Sequence, residues 1–256
     1  MRKTPRHFVA ALAVLGLVAA GCGSDDADTA ATEGGITVFA AASLTAAFTE
    51  IGDAFMAANP DAKVTFNFAA SSELVTQIGE GAAADVFASA DQNNMKKLTD
   101  AGNTGGDPVL FAKNLLQIIV EPGNPKGIAT VSDLANPDFV VVICAPEVPC
   151  GKYAATLFTN AGVTVTPKSL EENVKAVVTK VTLGEADAGI VYRTDVLATD
   201  GKADGVDIPD DINVLAEYPI AITKTAANPD GATAFIEFVA SAAGQEILAT
   251  YGFLAP

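Results

Sequence analysis

The 256-residue chain is poor in the residues on which many catalytic and nucleic-acid-binding sites depend. It has no tryptophan, three cysteines and one histidine, His7, and its 15 lysines and arginines face 31 aspartates and glutamates. A serine hydrolase of the usual kind needs a histidine base, and a zinc site needs several histidine or cysteine ligands. A formal charge of −16 also repels nucleic acid and anionic lipid. These absences argue against an enzyme and against a nucleic-acid-binding protein.

The first 21 residues have the pattern of a secretory signal. Three basic residues, Arg2, Lys3 and Arg6, precede an apolar stretch over 8–20 that is too short to span a bilayer comfortably. The stretch ends in Ala-Ala-Gly followed by Cys22. This ending resembles the lipobox of bacterial lipoproteins, which predicts that Cys22 becomes the acylated N-terminus after cleavage of 1–21. The alternative is an ordinary cleaved signal with an incidental cysteine.

The segment 22–35 has no large apolar residue and is predicted to be a disordered tether. No later apolar run is long enough to cross a membrane. Cleavage of the signal would remove three basic residues and His7, leaving 12 basic against 31 acidic residues and a formal charge of −19. We therefore expect a protein on the extracytoplasmic face of the bacterial cell membrane, anchored by lipid and not embedded.

Two serine-centred junctions are the most informative feature of the chain. In 36–48 and again in 64–74, a short apolar run passes through serine into a helical pattern, with no lysine or arginine within either segment. A serine at a helix N-cap leaves backbone N–H groups and the positive end of the helix dipole facing outward. Such a site receives an anion without a formal positive charge. The pair predicts a small-oxyanion site, the alternative being that both serines only cap helices.

Strand-like runs alternate with helical patterns over the rest of the chain, which predicts an α/β architecture. Predicted strands cover 64–68, 85–90, 115–120, 139–144, 188–192 and 218–222. Predicted helices cover 44–59, 74–78, 91–101, 152–160, 171–183, 232–242 and 245–251. There is no Gly-x-Ser-x-Gly elbow and no glycine-rich nucleotide loop.

Cys144 and Cys150 form an isolated close pair in the sequence. Outside the cytoplasm such a pair favours a disulfide over two free thiols. Closing so short a loop would stabilise the fold by about 2 kcal/mol and fix the shape of the turn. Zinc is not expected, because no histidine or further cysteine completes a ligand set.

Six short motifs, taken in order and spacing, carry a resemblance to a known family. They are VFAAASL at 38–44, ASSEL at 70–74, ADVFASAD at 84–91, GIVY at 189–192, EYP at 217–219 and YGF at 251–253. The chain resembles the extracytoplasmic molybdate-binding proteins of ABC transporters, within the periplasmic-type solute-binding proteins. The resemblance implies two α/β lobes with a type II-like fold and the ligand in the cleft between them. Lobe one would comprise 36–112 plus 220–256 and lobe two 113–219, with crossings near 112–114 and 218–220.

The same resemblance implies a ligand set made of hydroxyls and backbone amides. It assigns the hydroxyls to Ser43, Ser71 and Tyr192, with Ser72 as an alternative to Ser71. It assigns the amides to Cys150, where the family usually has alanine, and to Val174. From the residues alone, Tyr192 is equally a half-buried strand aromatic and Val174 an apolar helix position. The oxyanion is the only metal-containing ligand implied, and neither a bare metal ion site nor a cofactor is expected.

The chemistry of the ligand agrees with such a set. Molybdate carries no proton at neutral pH, so it only accepts hydrogen bonds, and its burial is costly unless donors replace its water. Charge-assisted hydrogen bonds contribute roughly 1.5–3 kcal/mol each, so about six or seven could offset dehydration. Donors alone would reject protonated phosphate, whereas sulfate must be separated by cavity size. Lys152 and Arg193 flank the site, and their side chains are expected to stay solvated. Asp91 is expected to cap a helix.

The predicted function is therefore a monomeric receptor that traps molybdate, and tungstate, and delivers it to a membrane permease. A binding protein for sulfate or another oxyanion is one alternative. A hydrolase with Ser43 or Ser71 as nucleophile is another, and it has no histidine base after signal cleavage. A structural or adhesive surface protein is the third.

Overall fold

The computed structural model describes residues 34–256. The predicted signal, Cys22 and the tether up to residue 33 lie outside the described residues. The tether was predicted to end at Gly35, but Gly34 and Gly35 already belong to the first strand, where they pair with Ala62 and Lys63.

Strands and helices alternate along the described chain, and the α/β prediction is confirmed. The strands are β1 Gly34–Ala41, β2 Ala62–Ala69, β3 Val86–Ala88, β4 Val109–Val120, β5 Val141–Cys144, β6 Ser169–Glu171, β7 Ala188–Tyr192, β8 Asp204–Asp207 and β9 Leu215–Ile222. The α-helices are α1 Thr45–Ala58, α2 Ser71–Gly79, α3 Gln92–Asp100, α4 Pro149–Ala161, α5 Val174–Thr182, α6 Arg193–Leu197, α7 Pro229–Ala240 and α8 Ala242–Thr250. Short 3-10 helices occupy Ala42–Leu44 and Val131–Ala135. Within residues 34–256, no helix is long and apolar enough to cross a membrane.

The strands hydrogen-bond in the order β2-β1-β3-β9-β4-β7-β5-β6, and β8 pairs with β4. Two groups of parallel strands lie at the two ends of this order, β2-β1-β3 at one end and β7-β5-β6 at the other. The antiparallel strands β9 and β4 lie between the two groups. In such parallel units the carboxyl end of each strand leads into the start of a helix. The helix N-termini therefore lie together at the edge of the sheet where the parallel strands end.

Strand β4 belongs to both sides of the molecule. Up to Leu115 it pairs with β9, and from Leu116 it pairs with β7. The long strand therefore runs from one group of parallel strands to the other, as a crossover strand does. The predicted lobe boundaries at 112–113 and 219–220 stay a prediction.

The core on the β1 side is built on the helical stripe of α1. Phe48, Ile51 and Phe55 recur on one face of that helix and are buried. The Phe48 ring lies 5.5 Å from that of Phe111 on β4, and the Phe55 ring lies 5.5 Å from that of Phe235 on α7. Burying each such side chain stabilises the fold by roughly 1.5–3 kcal/mol, so this cluster holds α1 and α7 against the sheet.

Several element boundaries differ from the sequence prediction. The helix predicted over 171–183 was wrong at its start, because Glu171 ends β6 and α5 begins at Val174. The Asn173 side chain accepts a hydrogen bond from the Ala176 N–H at 3.1 Å and sets that start. Strands β6 and β8 and helix α6 were missed, since three to five residues are too few to show a period.

Candidate functional site

One small cavity is surrounded by the first turns of helices that follow strands of both parallel groups, the group of β1 and the group of β7. The 3-10 helix that leads into α1 and helix α2 approach from the β1 side, and α4 and α5 from the β7 side. The cavity is lined by Ala41, Ala42, Ser43, Ala70, Ser71, Ala90, Pro149, Cys150, Asn173, Val174 and Tyr192. All five residues predicted to bind the ligand, Ser43, Ser71, Cys150, Val174 and Tyr192, therefore lie around one space.

The cavity is just large enough for one small solute. The centre of a water-sized sphere can occupy a volume of about 20 Å³ there. Adding the radius of the sphere gives a space roughly 3 Å in radius, about four times the volume of one water. A sugar or a peptide would not fit in that space, whereas a tetrahedral oxyanion would.

The two serines are not N-caps, and that part of the prediction was wrong. The cap positions are Ala41 and Ala70, while Ser43 lies within the 3-10 helix and Ser71 is the first residue of α2. An extended backbone at Ala41 and Ala70 brings the chain into each helix, and no side-chain cap is formed. Both serine side chains are thereby free of capping contacts.

Each serine hydroxyl instead bonds to a neighbouring element. The Ala90 N–H donates to Ser71 Oγ at 3.0 Å, so this hydroxyl acts as an acceptor there and can still donate its own hydrogen. Ser43 Oγ lies 3.0 Å from the hydroxyl of Tyr218. Ser72 is half-buried and does not line the cavity.

The two amides occupy helix starts. Cys150 is the second residue of α4 and Val174 the first residue of α5, and both are buried. The first N–H groups of a helix have no partner within it, so these amides are available to a ligand. Because every helix dipole at the cavity presents its positive end, the local potential favours an anion.

Tyr192 supplies the clearest sign that the cavity receives a ligand. It ends β7, its side chain is 1 % exposed, and its hydroxyl has no hydrogen-bond partner among residues 34–256. Burial raises the pKa of Tyr192 well above its ordinary value, so the hydroxyl stays protonated at neutral pH and can donate. An unpaired buried hydroxyl costs about 1–3 kcal/mol, which an acceptor in the cavity would relieve.

Among residues 34–256, no lysine or arginine lines the cavity. Lys152 Nζ lies 3.5 Å from Asp91, which itself caps α3 by accepting the Asn94 N–H at 2.8 Å. Arg193 lies against a separate hollow together with Asp207 and Asp210. The side chains that meet at the cavity are neutral. Within residues 34–256, no three histidine, cysteine, aspartate or glutamate side chains form a group that could hold a metal ion.

The loop before α4 brings the Cys150 amide to the cavity. The sulfurs of Cys144, at the end of β5, and of Cys150 lie 2.02 Å apart, with a Cα–Cα distance of 5.7 Å. Gly151 packs directly on this loop, since a Cβ there would lie 1.9 Å from the carbonyl oxygen of Ala145. The turn can close so tightly only with glycine at that position.

Sequence reasoning missed the alanines that line the cavity, and it missed Tyr218 and Asn173. The alanines at 41, 42, 70 and 90 have no polar group, and only their small size lets backbone approach a ligand. Asn173 could have been found as an Asx residue before an apolar period. Tyr218 reaches Ser43 across 175 residues of sequence, and no local pattern signals such a contact.

Comparison with known proteins agrees with this geometry. The model of the family described as "Bacterial extracellular solute-binding protein" matches residues 36–254. The "Molybdate-binding protein ModA" of Mycobacterium tuberculosis is 44% identical over 252 residues, which cover 97% of each chain.

Two solved structures, each 21% identical in sequence to this chain, share its fold. The periplasmic molybdate-binding protein of Azotobacter vinelandii has a TM-score of 0.76 and coverage of 86% of this chain and 99% of that one. The sulfate-binding protein SubI of M. tuberculosis has a TM-score of 0.79 and coverage of 86% of each chain. The chain thus has the two-lobe α/β fold of periplasmic binding proteins.

Proposed function

We propose that this chain, which belongs to the bacterial extracellular solute-binding proteins and within them to the molybdate-binding relatives, is the molybdate receptor of an ABC transporter. The observation that carries the proposal is a small cavity lined by hydrogen-bond donors from four helix starts, with no cationic side chain. A fully deprotonated tetrahedral oxyanion is the solute that matches such a lining, because it accepts hydrogen bonds at every oxygen.

The ligand set that we propose consists of the Ser43, Ser71 and Tyr192 hydroxyls and the Cys150 and Val174 amides. Hydrogen bonds to a charged acceptor contribute roughly 1.5–3 kcal/mol each. Five such bonds contribute about 7–15 kcal/mol, and the dipoles of the four helix starts act in the same direction. These contributions are net of the hydrogen bonds to water that the donors and the anion give up, so they favour binding of the anion in the cavity.

Specificity follows from the absence of acceptors and from size. Phosphate keeps at least one proton at neutral pH, and that proton would face only donors. Tungstate has the same charge and tetrahedral shape as molybdate, so we propose that it binds at the same site. Sulfate is the second candidate, since the sulfate-binding protein SubI shares the fold with a TM-score of 0.79. Sulfate is the smaller anion, and the cavity would hold it with longer hydrogen bonds.

The proposal extends to how the receptor works in the cell. Acylation of Cys22 would keep a monomer at the extracytoplasmic membrane surface, and an oxidised Cys144–Cys150 pair would hold the amide-bearing loop in shape. The lobes 36–112 plus 220–256 and 113–219 would close on the anion and present it to the permease. This role is binding and not catalysis, in keeping with the solute-binding relatives.

Calorimetric titration of the mature protein with molybdate tests the site. We expect Ser43→Ala combined with Ser71→Ala to abolish measurable binding, because two donors are lost and each lining hydroxyl is buried. The matched control is Ser72→Ala, which removes a hydroxyl beside Ser71 that does not line the cavity. Circular dichroism checks that both variants fold.

Unchanged molybdate affinity in the folded double variant would reject this site. A wild-type protein that binds sulfate more tightly than molybdate, in competition at equal concentrations, would replace the proposed ligand by sulfate.

A further inference from the structure

Tyr218 makes a chain of hydrogen bonds that ends at the cavity. Its side chain is fully buried in β9, and its hydroxyl lies 3.0 Å from Ser43 Oγ. Burial raises the pKa of Tyr218 well above its ordinary value, while hydrogen bonds with Ser43 and Asn114 act in the opposite direction. The hydroxyl is therefore protonated at neutral pH, and its hydrogen-bond partner at 3.0 Å is Ser43 Oγ.

The rings around Tyr218 hold the hydroxyl in one position. The rings of Phe253 and Tyr192 lie 5.4 and 5.9 Å from it, at interplanar angles of 82° and 69°. A third ring, that of Phe111, lies 6.3 Å away at 84°. Edge-to-face packing on three sides restricts the movement of the Tyr218 ring.

Asn114 determines which group donates in the hydrogen bond between Tyr218 and Ser43. Its Oδ1 accepts the Leu115 N–H at 2.9 Å, so the amide cannot be turned around without losing that bond. Its Nδ2 donates to Thr194 Oγ1 at 2.9 Å and is a donor only. Asn114 thus offers Tyr218 an N–H group and no acceptor. The tyrosine proton then has Ser43 Oγ as its acceptor, and the serine proton is left for the cavity.

We infer that Tyr218 is a positioning residue that makes Ser43 an obligate hydrogen-bond donor to the ligand. This inference rests on the proposed function and deepens it. If the Tyr218 hydroxyl were not the donor, Ser43 could donate to Tyr218 and turn both its lone pairs toward the cavity. It would then accept a hydrogen bond from a protonated oxyanion. Because Asn114 offers no acceptor and Ser43 Oγ is the partner of the Tyr218 hydroxyl, this arrangement disfavours that state and so selects fully deprotonated oxyanions.

The test is the ratio of affinities for molybdate and phosphate at pH 7, measured by direct titration and by displacement of molybdate. For Tyr218→Phe we expect molybdate affinity to fall about tenfold, because the Ser43 hydroxyl loses the hydrogen bond that fixes its direction. Phosphate affinity should be unchanged or higher, so the ratio falls at least tenfold. The matched control is Tyr153→Phe, whose hydroxyl bonds to the backbone of Glu217 and whose ring also packs on Tyr192. Its ratio should stay as in the wild type.

Asn114→Asp is a second variant, which serves if Tyr218→Phe does not fold. The carboxylate gives Tyr218 an acceptor, which releases Ser43 to donate to Tyr218. For this variant the ratio is measured at pH 8, where phosphate is chiefly the dianion HPO4²⁻ and the added charge weakens the binding of both anions alike. The reversed serine weakens molybdate binding more, so the ratio again falls. An unchanged ratio in the folded variant, or an equal fall in Tyr153→Phe, overturns the inference. If the wild-type protein does not bind molybdate, the proposed function is rejected. That result is distinct from an unchanged ratio in the variants, which rejects only the role of Tyr218.

Discussion

Replacing Tyr192 by phenylalanine should stabilise the empty protein and weaken the ligand complex at the same time. The hydroxyl is buried and has no partner within residues 34–256, so its removal abolishes a desolvation penalty of about 1–3 kcal/mol. For a chain of this size, 1 kcal/mol shifts the melting temperature by roughly 2–4 °C. We expect the melting temperature of the empty variant to rise by about 2–12 °C.

The same change removes one charge-assisted hydrogen bond from the complex. The loss of about 1.5–3 kcal/mol corresponds to a roughly 10- to 150-fold weaker molybdate affinity. Thermal melting without ligand and calorimetric titration with molybdate measure the two effects on one preparation. Tyr251→Phe is the control, because the Tyr251 hydroxyl donates to Glu50 at 2.7 Å at the surface, away from the cavity. A Tyr192→Phe protein that melts lower than wild type, or binds molybdate equally well, would refute the reasoning.

Two further predictions address the loop and the electrostatics of the site. Gly151→Ala should lower the free energy of unfolding by about 1–3 kcal/mol and weaken molybdate binding, because the new Cβ would lie 1.9 Å from the Ala145 carbonyl oxygen. Gly79→Ala, which meets no atom within 4 Å, is the control in thermal melting and titration, and equal behaviour of the two variants would contradict the prediction. Raising the salt concentration tenfold should leave molybdate affinity unchanged or increase it, since salt screens repulsion between the anion and an acidic protein. A marked loss of affinity with salt in the same titration would indicate a cationic contact such as Lys152.

The residue types around the cavity were predictable because backbone geometry and chemistry coincide there. A strand that runs into a helix puts its junction residues at the helix N-terminus, and small polar residues without nearby charge suit an anion. That reasoning singled out Ser43 and Ser71, and both line one cavity in the structure. It was wrong about their caps, because cap position depends on which residue turns from extended to helical backbone, and alanine took that position at 41 and 70.

Contacts between distant segments were beyond the sequence. The bond between Ser43 and Tyr218 depends on β9 returning beside β3 and β4. Strand β8, with the sequence Asp-Gly-Val-Asp, forms only because β4 offers it a free edge, and its own residues do not favour a strand. Tertiary pairing, not local propensity, decides both.

The arrangement of the helix starts explains how a dianion could close the molecule without any cationic side chain. Two starts, at Ala42 and Ser71, belong to proposed lobe one, and two, at Pro149 and Val174, to proposed lobe two. The positive ends of their dipoles repel one another when the cavity is empty and the lobes approach. An anion between them converts that repulsion into attraction on both sides. A ligand shifts a conformational equilibrium only by its differential affinity for the two states, and here the difference is the second pair of helix starts. We therefore expect closure of the proposed lobes to be coupled to the charge of the ligand, and we expect a neutral solute of the same size to leave them apart.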